Sequence, residues 1–257
     1  MVKLSEIISF MEERFPPSYA EDYDNIGLLA GRGEREVSKV LLCLDCDKFV
    51  VDEAVREGAQ LIISHHPVVF GGIKSVTDGS PDGEMLLLAI ENGISIYSAH
   101  TNLDSCPGGL SDYLCSRLEL TPTEPIEGSA GRICTPRKGL RLLELCSKIK
   151  AELGIEAVCT TARMNRPVKC VAVCNGSGGD LWQAARAKGA DVFITGDVKH
   201  HLARELYLTE GLEFISVSHY DSEKIVTELW VDSLKERFGS GLEAVISKVD
   251  QSPLIEV

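Results

Sequence analysis

Strand-like and helix-like segments alternate along this chain, and the alternation limits the possible folds more than any other feature. A strand is predicted over Val40–Cys46, a helix over Phe49–Glu57 and a strand over Leu61–Ser64. A helix over Met85–Glu91 and a strand over Ile94–His100 follow. This order is typical of an α/β domain with a largely parallel sheet.

The second half of the chain repeats the pattern of the first. In each half a strand ends in a histidine, His100 or His219, and a carboxylate, Asp104 or Glu223, follows four positions later. We interpret this as an internal duplication. The predicted fold is α/β, with two similar halves, mixed sheets and a metal site in the cleft between them.

The boundary between the halves is predicted in a segment rich in Pro, Gly and Thr, 119–138. The N-terminal half is therefore expected at 1–124 and the C-terminal half at 125–257, and 240–257 is expected to return to the first. A helix is predicted over 140–153, and a strand over 157–163.

Composition excludes several classes of protein. The net charge of −13 in 257 residues argues against a nucleic-acid partner, whose binding surface would be basic. No apolar run is long enough to cross a membrane and no secretory signal opens the chain. Nine scattered cysteines, an odd number, are typical of reduced thiols, so a cytoplasmic location is expected.

The chemistry-bearing residues follow predicted strands or begin predicted helices. All six histidines do so: His65, His66, His100, His200, His201 and His219. Ligands of α/β sheets bind at the carboxyl ends of strands, although a solvated histidine pair is about equally compatible with His65-His66. Imidazole and carboxylate ligands suit zinc, iron or manganese. With no cysteine near these positions, a structural thiolate site is not expected.

Three histidines and two acids could hold two metals if one carboxylate bridges them, and we choose Glu223 for the bridge. Such a centre activates water near neutral pH, so the predicted chemistry is hydrolysis. Around it, Lys199, His200 and His201 could face the substrate, but a helix capped by Asp197 with exposed histidines is an equal alternative.

Three further segments have two interpretations each. The segment 175–180 is predicted to be a tight turn rather than a phosphate-binding loop. The acids of 22–27 are predicted to lie in a solvated loop rather than to face the site. Cys43 and Cys46 are predicted to be core cysteines rather than a zinc or redox pair.

Together these motifs resemble those of the Nif-three-like proteins, many of which are named GTP cyclohydrolase 1 type 2 homologues. The resemblance extends over nearly the whole chain, and it depends on these segments: 23–28, 64–67, 100–104, 195–201 and 218–223. It implies two similar α/β halves, a dinuclear metal site and a ring-shaped homohexamer. The connection here is too short for the inserted regulatory domain of longer members.

The resemblance also implies roles for single residues. His66 and Asp104 would bind one divalent metal, His65 and His219 the other, and Glu223 would bridge them. His100 would be a neighbour and, with Glu223, a candidate catalytic residue. The implied reaction opens the imidazole ring of GTP at C8 and releases formate. The alternative is a non-catalytic metal-binding scaffold or regulatory interaction protein.

Overall fold

The computed structural model describes residues 1–162 and 164–254 of the chain. It divides into two compact units. The first unit contains Met1–Leu103 and the segment from Val226 onward, and the second contains Asp104–Ile225. These bounds differ from the predicted division after residue 124.

Both units are built from alternating strands and helices. The chain begins with β1 (Val2–Lys3), α1 (Leu4–Arg14), β2 (Gly27–Ala30), β3 (Glu36–Val37), β4 (Lys39–Cys43), α2 (Lys48–Glu57), β5 (Leu61–Ser64), α3 (Pro81–Glu91), β6 (Ser95–Ser98) and α4 (Thr101–Ser105). It continues with α5 (Leu110–Arg117), β7 (Leu120–Glu124), β8 (Arg132–Pro136), β9 (Leu140–Arg141), α6 (Leu142–Leu153), β10 (Cys159–Thr160), β11 (Pro167–Val168) and β12 (Val171–Val173). The remaining elements are α7 (Trp182–Ala187), β13 (Val192–Thr195), α8 (His200–Leu208), β14 (Glu213–Ser216), α9 (His219–Glu223), α10 (Val226–Phe238) and β15 (Glu243–Ile246). Among the described residues, no helix combines the length and apolar composition needed to cross a bilayer.

The first unit is organised around a five-stranded sheet with the order β15-β4-β5-β6-β2. All neighbouring pairs are parallel except β2 and β6. The strands β4, β5 and β6 are buried on both faces, as expected for apolar runs covered by helices. Asp47 caps α2 by accepting hydrogen bonds from the N–H groups of Phe49 and Val50, and Gly58 ends that helix with a φ of 68°.

The second unit has a six-stranded mixed sheet with the order β10-β14-β13-β12-β8-β7. Its central strands β12, β13 and β14 are parallel. Phe193 and Phe214 pack edge to face in its core, with ring centroids 4.9 Å apart. In both units three parallel strands alternate with helices in the same order, β4-α2-β5-α3-β6-α4 and β12-α7-β13-α8-β14-α9. The predicted fold class, α/β with mixed sheets, is confirmed.

The segment 119–138 is not a simple connection, because it contains β7 and β8. These strands pair antiparallel, and β8 pairs with β12, so both belong to the second sheet. Four of the five residues of β7 are exposed, which is why the segment lacks the apolar pattern of a strand. The helix predicted from residue 140 begins at Leu142, and the strand predicted over 157–163 forms only at Cys159–Thr160. Arg163 lies outside the described residues.

The C-terminal segment joins the first unit at Val226, earlier than the predicted residue 240. The helix α10 packs against β4 and β15, and β15 pairs parallel with β4. The last part of the predicted return, 255–257, lies outside the described residues. Beyond β15, the carboxylate of Asp250 accepts a hydrogen bond of 2.6 Å from the N–H of Leu44.

The pKa of Asp250 makes stability depend on pH. Burial, together with the charge of Asp45 and against the hydrogen bond from Leu44, raises this pKa from its ordinary 3.8 to about 6. A carboxyl group whose pKa rises on folding favours the folded state at low pH, and this advantage is lost between pH 3.8 and about 6. In Asp250→Asn the amide oxygen can still accept from Leu44. We therefore expect this variant to gain thermal stability relative to the wild type as pH rises through that window.

Melting temperatures of the wild type and Asp250→Asn, measured below and above this window, test the expectation. A difference between the two proteins that stays constant across the window would contradict it.

Candidate metal centre

Two adjacent histidines continue from the end of β5. The N–H of His65 donates to the carbonyl of Cys43, and the N–H of His66 donates to the carbonyl of Leu44. After β5 ends, the backbone of the pair therefore stays hydrogen-bonded to the last residue of β4 and to the residue that follows it. The two rings lie with centroids 5.2 Å apart.

His100 joins this pair in the first unit, two residues after the end of β6 at Ser98. One ring nitrogen from each of His65, His66 and His100 lies within 4.8 Å of the others. We call these three residues the histidine cluster. His65 is fully buried, and its ring packs 6.5 Å from that of the buried Trp230. The prediction that parallel strand ends gather histidines is realised here within one unit.

In each member of the histidine cluster, an oxygen acceptor faces Nδ1. The Nδ1 of His65 lies 2.9 Å from the carbonyl oxygen of Ala99, that of His66 lies 2.7 Å from Asp45, and that of His100 lies 2.9 Å from Asp24. Carbonyls and carboxylates only accept, so Nδ1 carries the hydrogen. In the neutral ring Nε2 is then the atom with a lone pair for a metal.

Asp24 corrects the interpretation of 22–27 as a solvated loop. Its side chain is fully buried and accepts hydrogen bonds from the ring of His100 and from the N–H and hydroxyl of Thr101. Burial alone would raise the pKa of Asp24, but the hydrogen bonds and the charge of His100 outweigh burial and hold this pKa well below its ordinary range. Asp24 therefore stays ionised and fixes the ring of His100.

The second unit carries a set of its own, which we call the carboxylate cluster: Asp104, His219 and Glu223. His219 and Glu223 lie one turn apart on α9, with Nε2 of the histidine 2.9 Å from Oε2 of the glutamate. A carboxylate oxygen of Asp104 lies within 4.8 Å of one of Glu223. Glu223 is 4% exposed. It is the last residue of α9.

His219 shows the same pattern at Nδ1 as the histidine cluster. Its Nδ1 lies 2.7 Å from a carboxylate oxygen of Asp197. The hydrogen bond to Glu223, followed by the charges of Glu223 and Asp197, raises the pKa of His219 to about 9 against the opposing effect of burial. Without a metal, His219 is therefore a cation between two carboxylates at neutral pH.

The role of Asp197 differs from the predicted helix cap. Lys199 occupies the N-cap position of α8, and Asp197 has a positive φ of 49° in the turn before it. This turn aims the carboxylate at His219. A non-glycine residue with positive φ is a strained conformation of the kind that is often found at functional sites.

One cysteine lies closer to the carboxylates than the sequence suggests. Burial, followed by the charges of Asp104 and Glu223, raises the pKa of Cys174 to about 12. The thiol is thus protonated at neutral pH beside the carboxylate cluster. The expectation of no nearby cysteine is wrong, but a neutral thiol does not supply the thiolate of a structural zinc site.

The segment 175–180 is the predicted tight turn. The N–H of Gly176 donates to the hydroxyl of Ser222, and the N–H of Gly178 donates to that of Thr195. The side chain of Asn175 donates to the carbonyl of Ser222 as well. These donors are therefore used in hydrogen bonds within the protein. Two of them bond to Ser222 and so hold α9 in place.

The predicted substrate residues are more exposed than the histidine cluster and the carboxylate cluster. Lys199, His200 and His201 are all exposed at the start of α8. Within the described residues, none of them belongs to a group of close His, Cys, Asp and Glu side chains. Exposure at a helix start is compatible with both interpretations of this segment, so the role of these residues in substrate binding stays a prediction.

Histidines and carboxylates at strand ends, in two α/β units, define this chain as an α/β protein with side chains suited to metal binding. It belongs to the Duf34/NIF3 (NGG1p interacting factor 3) family, whose profile matches residues 2–253. The resemblance proposed from the sequence motifs is therefore confirmed.

Relatives in other organisms support this assignment over full length. A protein of Clostridium perfringens named GTP cyclohydrolase 1 type 2 homolog is 36% identical, with 98% of each chain covered. A protein of Streptomyces coelicolor with the same name is 32% identical, covering 98% of this chain and 94% of its own. A crystal structure of a hypothetical protein of Staphylococcus aureus is similar with a TM-score of 0.89 at 26% identity, and 99% of each chain is covered.

Proposed function

We propose that this chain is a hydrolase that depends on two divalent metal ions and acts on a nucleotide or another phosphorylated small molecule. The observation that carries the proposal is the shared geometry of four histidines: His65, His66, His100 and His219. In each, Nδ1 meets an oxygen acceptor, so the neutral ring presents Nε2. Metal-binding histidines are oriented in this way by carboxylates and carbonyls.

The donor set fits a pair of zinc, iron or manganese ions. We propose His66 and Asp104 as ligands of one ion, His65 and His219 as ligands of the other, and Glu223 as the bridge. Glu223 suits that role because its buried carboxylate lies 2.9 Å from Nε2 of His219 and within 4.8 Å of a carboxylate oxygen of Asp104. A dinuclear centre of this kind supplies Lewis-acid activation of water and of the substrate.

The residues of the chain would then orient the histidine ligands and transfer a proton. Asp24, Asp45 and Asp197 hold the rings of His100, His66 and His219 in place. His100 is the histidine left over from the ligand assignment, and its Nε2 is proposed to exchange a proton with the reacting group. The names of the relatives motivate the candidate reaction, opening of the imidazole ring of GTP with release of formate.

The reaction can be tested directly. Purified protein is stripped of metal, loaded separately with manganese, zinc or iron, and incubated with GTP, with stripped protein as the control. Formate and a ring-opened guanine product are expected from at least one loaded form. Absence of both products with all three metals would exclude this reaction. The metal centre is tested separately, by measuring the metal content of the loaded protein.

A second candidate is a metal-binding scaffold or regulator without turnover, which would assemble as a homohexamer as the sequence resemblance implies. It is favoured by one observation, namely that two amides of the 175–180 turn, those of Gly176 and Gly178, donate to hydroxyl groups of the protein itself. A screen of phosphorylated metabolites with the metal-loaded protein separates the candidates. Consumption of any of them would contradict the scaffold, and tight metal binding without turnover would favour it.

A further inference from the structure

Two aromatic side chains lie exposed in the first unit beside the histidine cluster. Tyr23 is 66% exposed and Phe70 is 53% exposed, and their ring centroids are 6.2 Å apart at an angle of 62°. Phe70 also lies 6.2 Å from the ring of His100, nearly perpendicular to it. An aromatic surface thus extends from a candidate proton-exchanging histidine toward solvent.

Partly buried hydrogen bonds fix the loops that carry these rings. Asn25 donates a hydrogen bond of 2.5 Å to the carbonyl of Val69, which ties the residues next to Tyr23 to those next to Phe70. Asp24 accepts a hydrogen bond of 3.0 Å from the N–H of Thr101 and anchors the same loop to the start of α4. Little conformational freedom remains to be lost when a ligand meets the two rings.

We infer that Tyr23 and Phe70 form a stacking site for the planar nitrogen heterocycle of the substrate. Any such base can stack its face on a rigid aromatic ring, as bases do on the aromatic side chains of proteins that bind single-stranded nucleic acids. The exposed carboxylates of Glu21 and Asp22 flank Tyr23 and would repel a phosphate chain. The uncharged ring of a nucleotide, rather than its phosphates, therefore belongs here. This inference rests on the proposed function, because it assigns part of the same substrate.

The test compares two ligands that differ by the nucleoside. Calorimetry on the manganese-loaded protein measures the affinities of GTP and of inorganic triphosphate. The wild type is expected to prefer GTP by about tenfold, within the range that base stacking contributes. In Tyr23→Leu and Phe70→Leu the preference is expected to fall toward one, with triphosphate affinity and metal content unchanged. Tyr23→Phe and Phe70→Tyr keep a ring and should keep the preference.

A matched control is available in the same unit. Phe49, in the first turn of α2, is 58% exposed, close to the value for Phe70. Phe49→Leu therefore removes an equally exposed ring elsewhere and should leave the preference unchanged. Binding of guanosine to metal-free protein is measured in parallel, so that the stacking site is tested even if the proposed metal centre fails.

Several results would overturn the inference. One is that the wild type binds GTP and triphosphate with equal affinity and does not bind guanosine. Another is that the leucine variants retain the preference for GTP. Dissociation of an oligomer in Phe70→Leu, measured by light scattering with ligand affinity intact, would instead assign the rings to a contact between copies. Loss of the preference in Phe49→Leu would show that the effect is not local.

Discussion

Glu223→Gln is expected to lower the metal content of the purified protein from two ions per chain to one or none. The carboxylate is 4% exposed and lies 2.9 Å from Nε2 of His219 and within 4.8 Å of Asp104. A bridging ligand needs two anionic oxygens, and glutamine keeps one neutral acceptor in the same volume. Because even residues that only orient ligands change metal affinity by about 10- to 100-fold, loss of a bridge should cost at least that factor.

Metal per chain, measured by elemental analysis after dialysis against a single divalent metal, gives the result. Glu205→Gln, which changes an exposed glutamate of α8 in the same unit, serves as the matched control and should keep two ions. A Glu223→Gln protein that still binds two ions with unchanged affinity would contradict the bridging assignment. Circular dichroism of both variants separates loss of metal from loss of fold.

The sequence predicts the buried elements closely and the exposed ones poorly. The strand β5, Leu61–Ser64, forms over the predicted residues, and α2, Lys48–Glu57, begins one residue before the predicted Phe49, because apolar periodicity and clear end signals agree there. In contrast, β7 is an edge strand whose exposed residues carry no apolar alternation, so its segment has the composition of a loop. Its place in the sheet depends on pairing with β8, which a local pattern does not encode.

In the candidate site, too, the sequence reveals some residues and not others. Histidines and carboxylates that follow strands can be found by their position, since parallel strands end at one edge of a sheet. The acids that orient the rings cannot be found so easily. Asp24 meets a histidine 76 positions away along the chain, and Asp45 and Asp197 meet histidines 21 and 22 positions away. Such partners depend on tertiary structure, and the only local signal is an acid in a turn beside a strand.

The second large effect is expected from a glycine that contacts the carboxylate cluster without binding metal. A Cβ at Gly176 would overlap Oε1 of Glu223 and lie 3.0 Å from its Cδ and 3.3 Å from Cε1 of His219. The backbone has little room to yield, because the N–H of Gly176 donates to Ser222 and its carbonyl accepts from Gly196. Gly176→Ala should therefore displace Glu223 and reduce metal binding as severely as Glu223→Gln.

Backbone strain must be separated from this overlap, since Gly176 has a φ of 60°, which disfavours any side chain by about 1 kcal/mol or more. Gly189 offers the matched control, with a φ of 80° and open space where its Cβ would lie. We expect Gly189→Ala to lower the melting temperature while keeping two metal ions, and Gly176→Ala to lose metal as well. Equal metal content in the two alanine variants would show that the carboxylate tolerates displacement, and would exclude the packing of Gly176 as a determinant of the site.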